Sequence, residues 1–336
     1  MKFNLSTNIS QGVNDNFNYI VTPNAQKVYG NIVDSFQSGI HSFSIIGTYG
    51  TGKSSFLMAL ERDLLNNKSS LVSEKSVFAD AEGFEFMNIV GEYSSLSMLL
   101  SKELSIAPSD DSKNIFYSLS RYLNELKRQN KFLFIFVDEF GKILEYAANT
   151  NPEKELYFLQ TLAEFVNVSS RNVILITTLH QNFGSYAHKL TETQRNEWLK
   201  VKGRFKELVF VEPVEQLLFL AAESLTTSKK MADDAKENFL EVFSLAKRNK
   251  IVSESLTVKT SKMLYPLDAV AASCLTLAIQ RYGQNERTLF SFLHDTTSSS
   301  INRFVPRDTT TYNLSVGYGY IIYYIQFLYS LDRNES

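Results

Sequence analysis

The stretch Ser44–Leu60, SIIGTYGTGKSSFLMAL, decides how the chain is read. Gly47, Gly52, Lys53 and Ser54 occupy every fixed position of the pattern G-x-x-x-x-G-K-[ST]. The glycines let the backbone curl so that successive N–H groups point inward, and the helix that follows adds the positive end of its dipole. Such a cradle holds phosphate oxygens. Its expected nucleotide contacts are Gly47, Thr48, Tyr49, Gly50, Thr51, Gly52, Lys53, Ser54 and Ser55. Lys53 is spaced to reach the β- and γ-phosphates of ATP, and the Ser54 hydroxyl to ligate Mg²⁺. FSII precedes the loop as an apolar strand, and SSFLMALERDLL follows it as a helix with Phe56, Leu57, Leu60 and Leu64 on one face.

Outward from the loop, short apolar runs alternate with amphipathic stretches, the pattern of an α/β domain with a mainly parallel sheet. Strands are expected at Phe43–Ile46, Phe84–Val90, Phe132–Val137, Val173–Thr178 and Leu208–Val211. Ile115, Leu119, Leu123 and Leu126 share a helical face before the third strand. Leu156, Leu159, Leu162 and Phe165 do so before the fourth. The sheet domain is assigned to 1–213, with 1–40 as an N-terminal linker and a helix opening near Asn24. After Pro213 the periodicity turns helical, as in Leu217, Leu218, Ala221 and Leu225, and less regularly in Val270, Leu275, Leu277 and Ala278. A smaller helical domain over 214–300 is expected. A Ser/Thr-rich loop and a Tyr-rich element follow over 301–336.

Composition narrows the class. With 336 residues, 44% hydrophobic and 21% charged, the chain reads as an ordinary globular protein. A net charge of −2 gives no global attraction to nucleic acid or anionic membrane. Cys274 is the only cysteine, so no internal disulfide can form. The N-terminus lacks the apolar run of a signal peptide, and Val316–Leu331 is too short and too rich in tyrosine to span a membrane. A cytoplasmic location without membrane contact is the expectation.

The run KFLFIFVDEF ends an apolar strand in Asp138 and Glu139. A continuous apolar run suits a strand buried on both faces, and ligands bind at the C-terminal ends of such strands. Asp138 fits the Walker B role of holding Mg²⁺, and Glu139 fits the polarisation of an attacking water. The GTPase motif Asn-Lys-x-Asp is missing, since NKSS at Asn67–Ser70 lacks the acid, and no LSGGQ-like signature of an ABC ATPase occurs. Small-molecule kinases usually lack a second acid beside the first.

At these residues the chain resembles an AAA+ ATPase. The resemblance implies a helical lid after the sheet, a homo-oligomer, and further residues at each site. In KVKGRFKELVFVEP, Arg204 stands just before the fifth strand, where that family often has an arginine finger that completes the neighbouring subunit's site. The fourth strand, NVILITTLHQ, ends where the family places sensor 1; Thr178 is the first choice and His180 the second, where the family often has Asn. RYGQNERTLFSFL resembles the segment that opens the third lid helix. There Asn285 would cap the helix, and Arg287 would be the sensor 2 residue facing the nucleotide.

A narrower resemblance rests on VDEFGKILEY, HQNFGSYAHKLTETQRNEWLKVKGRF and YPLDAVAASCLTLAIQRYGQNERTLFSFL. Together they are similar to the ATPase region of BREX-type phage-defence proteins of bacteria, over roughly Phe43–Leu293. On that likeness the chain is either a short relative or the ATPase part of a longer one. Defence-system proteins, and possible DNA, are the implied partners. Two outcomes for bound ATP stay open: hydrolysis coupled to remodelling or recruiting partners, or a STAND-like nucleotide-gated switch that seldom turns over. A phosphotransferase is a third.

The remaining constellations are weaker. His41, His180, His188 and His294 are scattered without ligand spacing, so a zinc site is not expected. AKRNK at Ala246–Lys250 reads as a solvated helix end, Val21 and Pro23 as candidate adenine contacts, and Trp198 as core.

Overall fold

The computed structural model describes residues 9–11, 19–66, 71, 72, 78, 81–107, 112–168, 170–188, 190–211, 218–220, 222, 233–254, 256–264 and 269–282. It resolves into two units. One comprises Ser6–Thr48 and Gly52–Val211; the other comprises Met1–Leu5, Tyr49–Thr51 and Glu212–Ser336.

In the first unit five strands form one parallel sheet: β1 (Ser42–Ile46), β2 (Gly83–Val90), β3 (Lys131–Asp138), β4 (Val173–Leu179) and β5 (Lys206–Val209). Their spatial order is β2-β3-β4-β1-β5. The register sets Ile46 beside Leu179, Thr177 beside Val137, and Asp138 beside Val90. The C-terminal ends of four strands therefore reach one edge together. The residues that leave that edge are Gly47, His180, Glu139 and Gly91.

Strand alternation sorts the core into two layers. Phe43, Ile45, Phe134, Phe136, Ile174 and Ile176 pack with α1 (Pro23–Gln37) and α2 (Lys53–Asn66). Leu133, Ile135, Val137, Val173 and Leu175 form the opposite layer, which includes residues of α3 (Leu96–Glu103), α4 (Ser112–Arg128), α5 (Phe140–Asn149), α6 (Pro152–Val166) and α7 (Glu192–Lys202). Helix α1 begins where the sequence says it should: Thr22 Oγ1 accepts from Ala25 N at 3.0 Å, and Pro23 takes the first turn. Trp198 is fully buried in the second layer, its Nε1 donating to Phe183 O at 2.8 Å.

The fifth strand corrects the expectation of Leu208–Val211. It begins two residues earlier, because Lys206 and Glu207 pair through their backbones with Phe43 and Ser44 on β1. An edge strand can carry polar side chains, so hydrophobicity alone misplaces its start. Phe210 N still donates to Ile46 O at 2.7 Å beyond the strand's end.

Within Glu212–Ser336 the second unit carries the helices α8 (Asp233–Arg248), α9 (Val258–Met263) and α10 (Ala269–Tyr282). Lys247 Nζ donates to Glu254 O at 2.8 Å and Leu256 O at 2.6 Å, so this lysine of the basic cluster closes the turn between α8 and α9. In α10 Leu275 is buried while Leu277 is exposed. Leu217, Ala221, Leu225, Asn285, Arg287, His294 and the Tyr-rich element lie outside the described residues. Among the described residues no helix is long and apolar enough to cross a membrane.

Candidate functional site

The loop between β1 and α2 starts on the sheet edge, where Gly47 N donates to Leu179 O at 3.0 Å. Gly50 and Gly52 adopt φ of 71° and 81°, the left-handed region that costs a side-chain-bearing residue roughly 1–2 kcal/mol. Gly52 O accepts from Phe56 N at 2.8 Å and so begins the helical ladder. Lys53 is the first residue of α2, and its Nζ donates to Gly47 O at 2.6 Å and Thr48 O at 2.8 Å. The ammonium thus folds back over the loop. Ser54 and Ser55 fall in the first turn of α2, where backbone N–H groups have no helical acceptor.

Across the edge, β3 ends in Asp138, whose residue surface is only 5% exposed. Thr178, at the end of β4, links both acids. Its Oγ1 donates to Asp138 Oδ1 at 2.5 Å and accepts from Glu139 N at 3.0 Å. Because β4 lies between β1 and β3, this threonine stands between the phosphate loop's strand and the acidic pair. Glu139 itself has φ 52° and ψ 37° and occupies the cap position of α5 without a side-chain cap bond. Its carboxylate pairs instead with Lys142 on the first turn of α5.

Two glycines absent from the sequence reading fit this corner. Gly91 N donates to Asp138 O at 2.7 Å. A Cβ at Gly91 would lie 2.3 Å from Glu139 O, so no larger residue fits beside the acidic pair. Gly141, in the first turn of α5, meets Tyr186: a Cβ there would lie 2.4 Å from the Tyr186 hydroxyl oxygen. That hydroxyl lies 3.1 Å from His180 Nδ1. Burial, then the positive charge of Lys53, pushes the His180 pKa down, while Glu145 and Glu139 oppose the shift. His180 therefore feels both the lysine and the glutamate. The one local signal for these glycines was their position, directly after an apolar strand in VGEY and two residues after the second acid in DEFG.

No family profile and no curated sequence matches the chain. Among solved structures it is similar to the Aeropyrum pernix ORC2 protein in ADPNP–ADP complexes, at 13% identity and TM-score 0.44 over 80% of this chain and 66% of that one. It is also similar to Drosophila ORC bound to DNA, at 12% and 0.42 over 80% and 60%. C. elegans PCH-2 gives 11% and 0.37 over 74% and 53%. The chain thus spans between about half and two thirds of these proteins' lengths. At such values the likeness bears on neither activity nor partner. What decides the architecture is the parallel order β2-β3-β4-β1-β5 behind a phosphate loop. The fold is a parallel α/β sheet of the P-loop type, with one strand between the loop's strand and the acidic one.

Arg204 lies at the opposite end of β1 from the loop. Its carbonyl accepts from Ser42 Oγ at 2.6 Å and from Asn167 Nδ2 at 3.2 Å, at the start of β1. Ser42 and Gly47 are separated by the length of the strand, roughly 16 Å at 3.3 Å per residue. The guanidinium is tied to Glu164 on α6, with Nε donating to Oε1 at 2.6 Å, and Nη1 donates to Lys200 O at 3.0 Å. Hydrogen bonds from Gln160 and then from Arg204 hold the Glu164 pKa below its ordinary value. Thr22, whose hydroxyl caps α1, places Val21 and Pro23 at that helix's start.

Proposed function

We propose that the chain binds Mg²⁺-ATP at Gly47–Ser55 and hydrolyses it. The observation that supports this best is the Thr178 bridge, which orients a buried carboxylate and the backbone of the following glutamate at one point of the sheet edge. The residues suit the metal. Mg²⁺ takes few protein ligands and draws the rest from water and phosphate oxygens, so the Ser54 hydroxyl and the Asp138 carboxylate suffice. When bound, Mg²⁺ neutralises charge on the β- and γ-phosphate oxygens. Lys53 would exchange its loop carbonyls for phosphate oxygens, and loop N–H groups would bind the remaining ones. Glu139 would leave Lys142 and orient the attacking water, with Thr178 beside it as sensor 1.

The test is Glu139→Gln, with turnover and nucleotide affinity measured together. Affinity should persist while turnover falls by about 100-fold or more. Steady hydrolysis that survives the substitution overturns the assignment.

The finer reading adds a homo-oligomer in which Arg204 of one subunit completes its neighbour's site and Arg287 acts as sensor 2. Hydrolysis would then drive remodelling or recruitment of partners, with DNA among the candidates, in bacterial anti-phage defence. The support is the sequence phrases around Asp138, His180 and Tyr265. Mass and ATPase rate, measured together with and without double-stranded DNA, test it. A chain that stays monomeric with ATP, at unchanged rate in every condition, would sink this part.

One observation favours the switch reading instead. The Glu139 carboxylate is engaged by Lys142, a pose that suits holding ATP without cleaving it. Tight ATP binding with no turnover under any partner or DNA condition would establish that alternative.

A further inference from the structure

We propose that Tyr186, held by His180, is a positioning residue that sets the pose of Glu139 through the first turn of α5. The inference rests on the hydrolytic reading for its kinetic consequence, though not for its structural one. Glu139 sits in a left-handed conformation with no side-chain cap on the helix it precedes; its local contacts there are with Lys142, through its carboxylate and through its carbonyl, which accepts from Lys142 N at 3.1 Å. A contact from outside the helix adds to these. The Tyr186 hydroxyl is packed against Gly141, two residues beyond Glu139, closely enough that a methyl group at Gly141 would meet it at 2.4 Å.

Tyr186 is itself rigidly placed. It is 2% exposed and lies in a single 3-10 turn, Phe183–Ala187, whose first residue offers its carbonyl to Trp198 Nε1 at 2.8 Å. Asn182 caps that turn, its Oδ1 accepting from Ser185 N at 3.0 Å. The hydroxyl is then aimed by His180 Nδ1 at 3.1 Å, and His180 follows Thr178 by two residues on the same chain segment. The end of β4 consequently reaches the acidic corner twice. Thr178 fixes Asp138 and the Glu139 N–H directly, and His180 acts through Tyr186 on the turn that carries Glu139. A buried aromatic with its hydroxyl anchored moves little, so the backbone it contacts is held as well.

The experiment compares Tyr186→Phe, His180→Leu and His180→Asn with the unaltered protein. Asn offers polar atoms near the position of Nδ1 and should preserve the aim of the hydroxyl. Two readouts are taken: amide hydrogen exchange over residues 139–143, and kcat with KM for ATP. Tyr186→Phe and His180→Leu should speed exchange in that segment, while ATP affinity and melting temperature stay close to those of the unaltered protein. They should lower kcat about 10-fold at unchanged KM, and His180→Asn should disturb the exchange of 139–143 less than His180→Leu does. Unchanged exchange over 139–143 in both damaging variants overturns the proposal, as does a loss that appears only as a raised KM. If the unaltered protein binds ATP but never hydrolyses it, the hydrolytic reading fails alone. Exchange then still decides the positioning role.

Discussion

The Thr178 hydroxyl donates to Asp138 Oδ1 at 2.5 Å, so the acid that ends one strand is oriented from the strand beside it. Both groups are almost fully buried, at 1% and 5% exposure, where a bond to a charged acceptor is worth more than at the surface. Thr178→Val keeps the shape and removes the bond. ATP turnover should fall about 10- to 100-fold, and Thr178→Ser should keep most of it. Equal turnover in the valine and serine variants, measured at saturating ATP, would show that the hydroxyl has no part in the reaction.

Gly91 makes a prediction about stability. Gly91→Ala would press a methyl group to 2.3 Å from Glu139 O and 2.8 Å from its carbonyl carbon, and both are backbone atoms that cannot rotate away. The strand end or the acidic corner must shift, at a cost of about 1–3 kcal/mol. The melting temperature should drop by several degrees. Turnover should drop further than unfolding alone explains. An alanine variant with unchanged melting and turnover would mean the corner is softer than its spacing indicates.

Arg204 should separate binding from turnover. Its pair with Glu164 is largely solvent-facing, so Arg204→Ala should change melting little. Nucleotide binding should be nearly intact, while hydrolysis falls by about 1,000-fold if the arginine serves a neighbour. Mixing Arg204→Ala protein with Glu139→Gln protein should restore part of the activity, because some interfaces then carry one intact residue of each kind. A proven oligomer that shows no such rescue would remove Arg204 from the site.

Glu61 gives a pH dependence. It is buried on α2, and desolvation pushes its pKa above the ordinary 4.5, an effect that the hydrogen bond from Asn88 Nδ2 at 2.9 Å only partly opposes. Asn88 Oδ1 is buried without a partner, as it would not be if a protonated Glu61 donated to it. A raised folded pKa means that the contribution to stability is complete below pH 4.5 and is lost as pH climbs through the folded value. Glu61→Gln should therefore raise the melting temperature at pH 7.5 and do little at pH 4.5. The opposite pattern, with the glutamine variant less stable at pH 7.5, would mean that the charged form is the favoured one.

Much of this arrangement could be read from residue order, for physical reasons that differ between elements. The turn between β1 and α2 was legible because its geometry depends on glycines at fixed spacing, and Gly50 and Gly52 do take left-handed conformations. Strands β3 and β4 were legible because burial on both faces demands unbroken apolar runs. The start of β5 was not, since backbone pairing at an edge tolerates Lys206 and Glu207. Gly91, Gly141 and Tyr186 were missed because their roles are close approaches between segments far apart in the chain, and no local pattern encodes them. Arg204 was named from the sequence, but its pairing with Glu164, forty residues earlier on another helix, was not.

The backbone of Glu139 has one more consequence. A glutamate held at φ 52° costs the fold roughly 1–2 kcal/mol relative to a glycine there. A library of variants sorted only for thermal resistance should accordingly enrich glycine or asparagine at this position. On the proposed role of Glu139, the hardiest clones from such a sort would be inactive ones. Under that role, heat tolerance and turnover would be set against each other at a single residue, and any effort to harden this protein would begin by holding position 139 fixed.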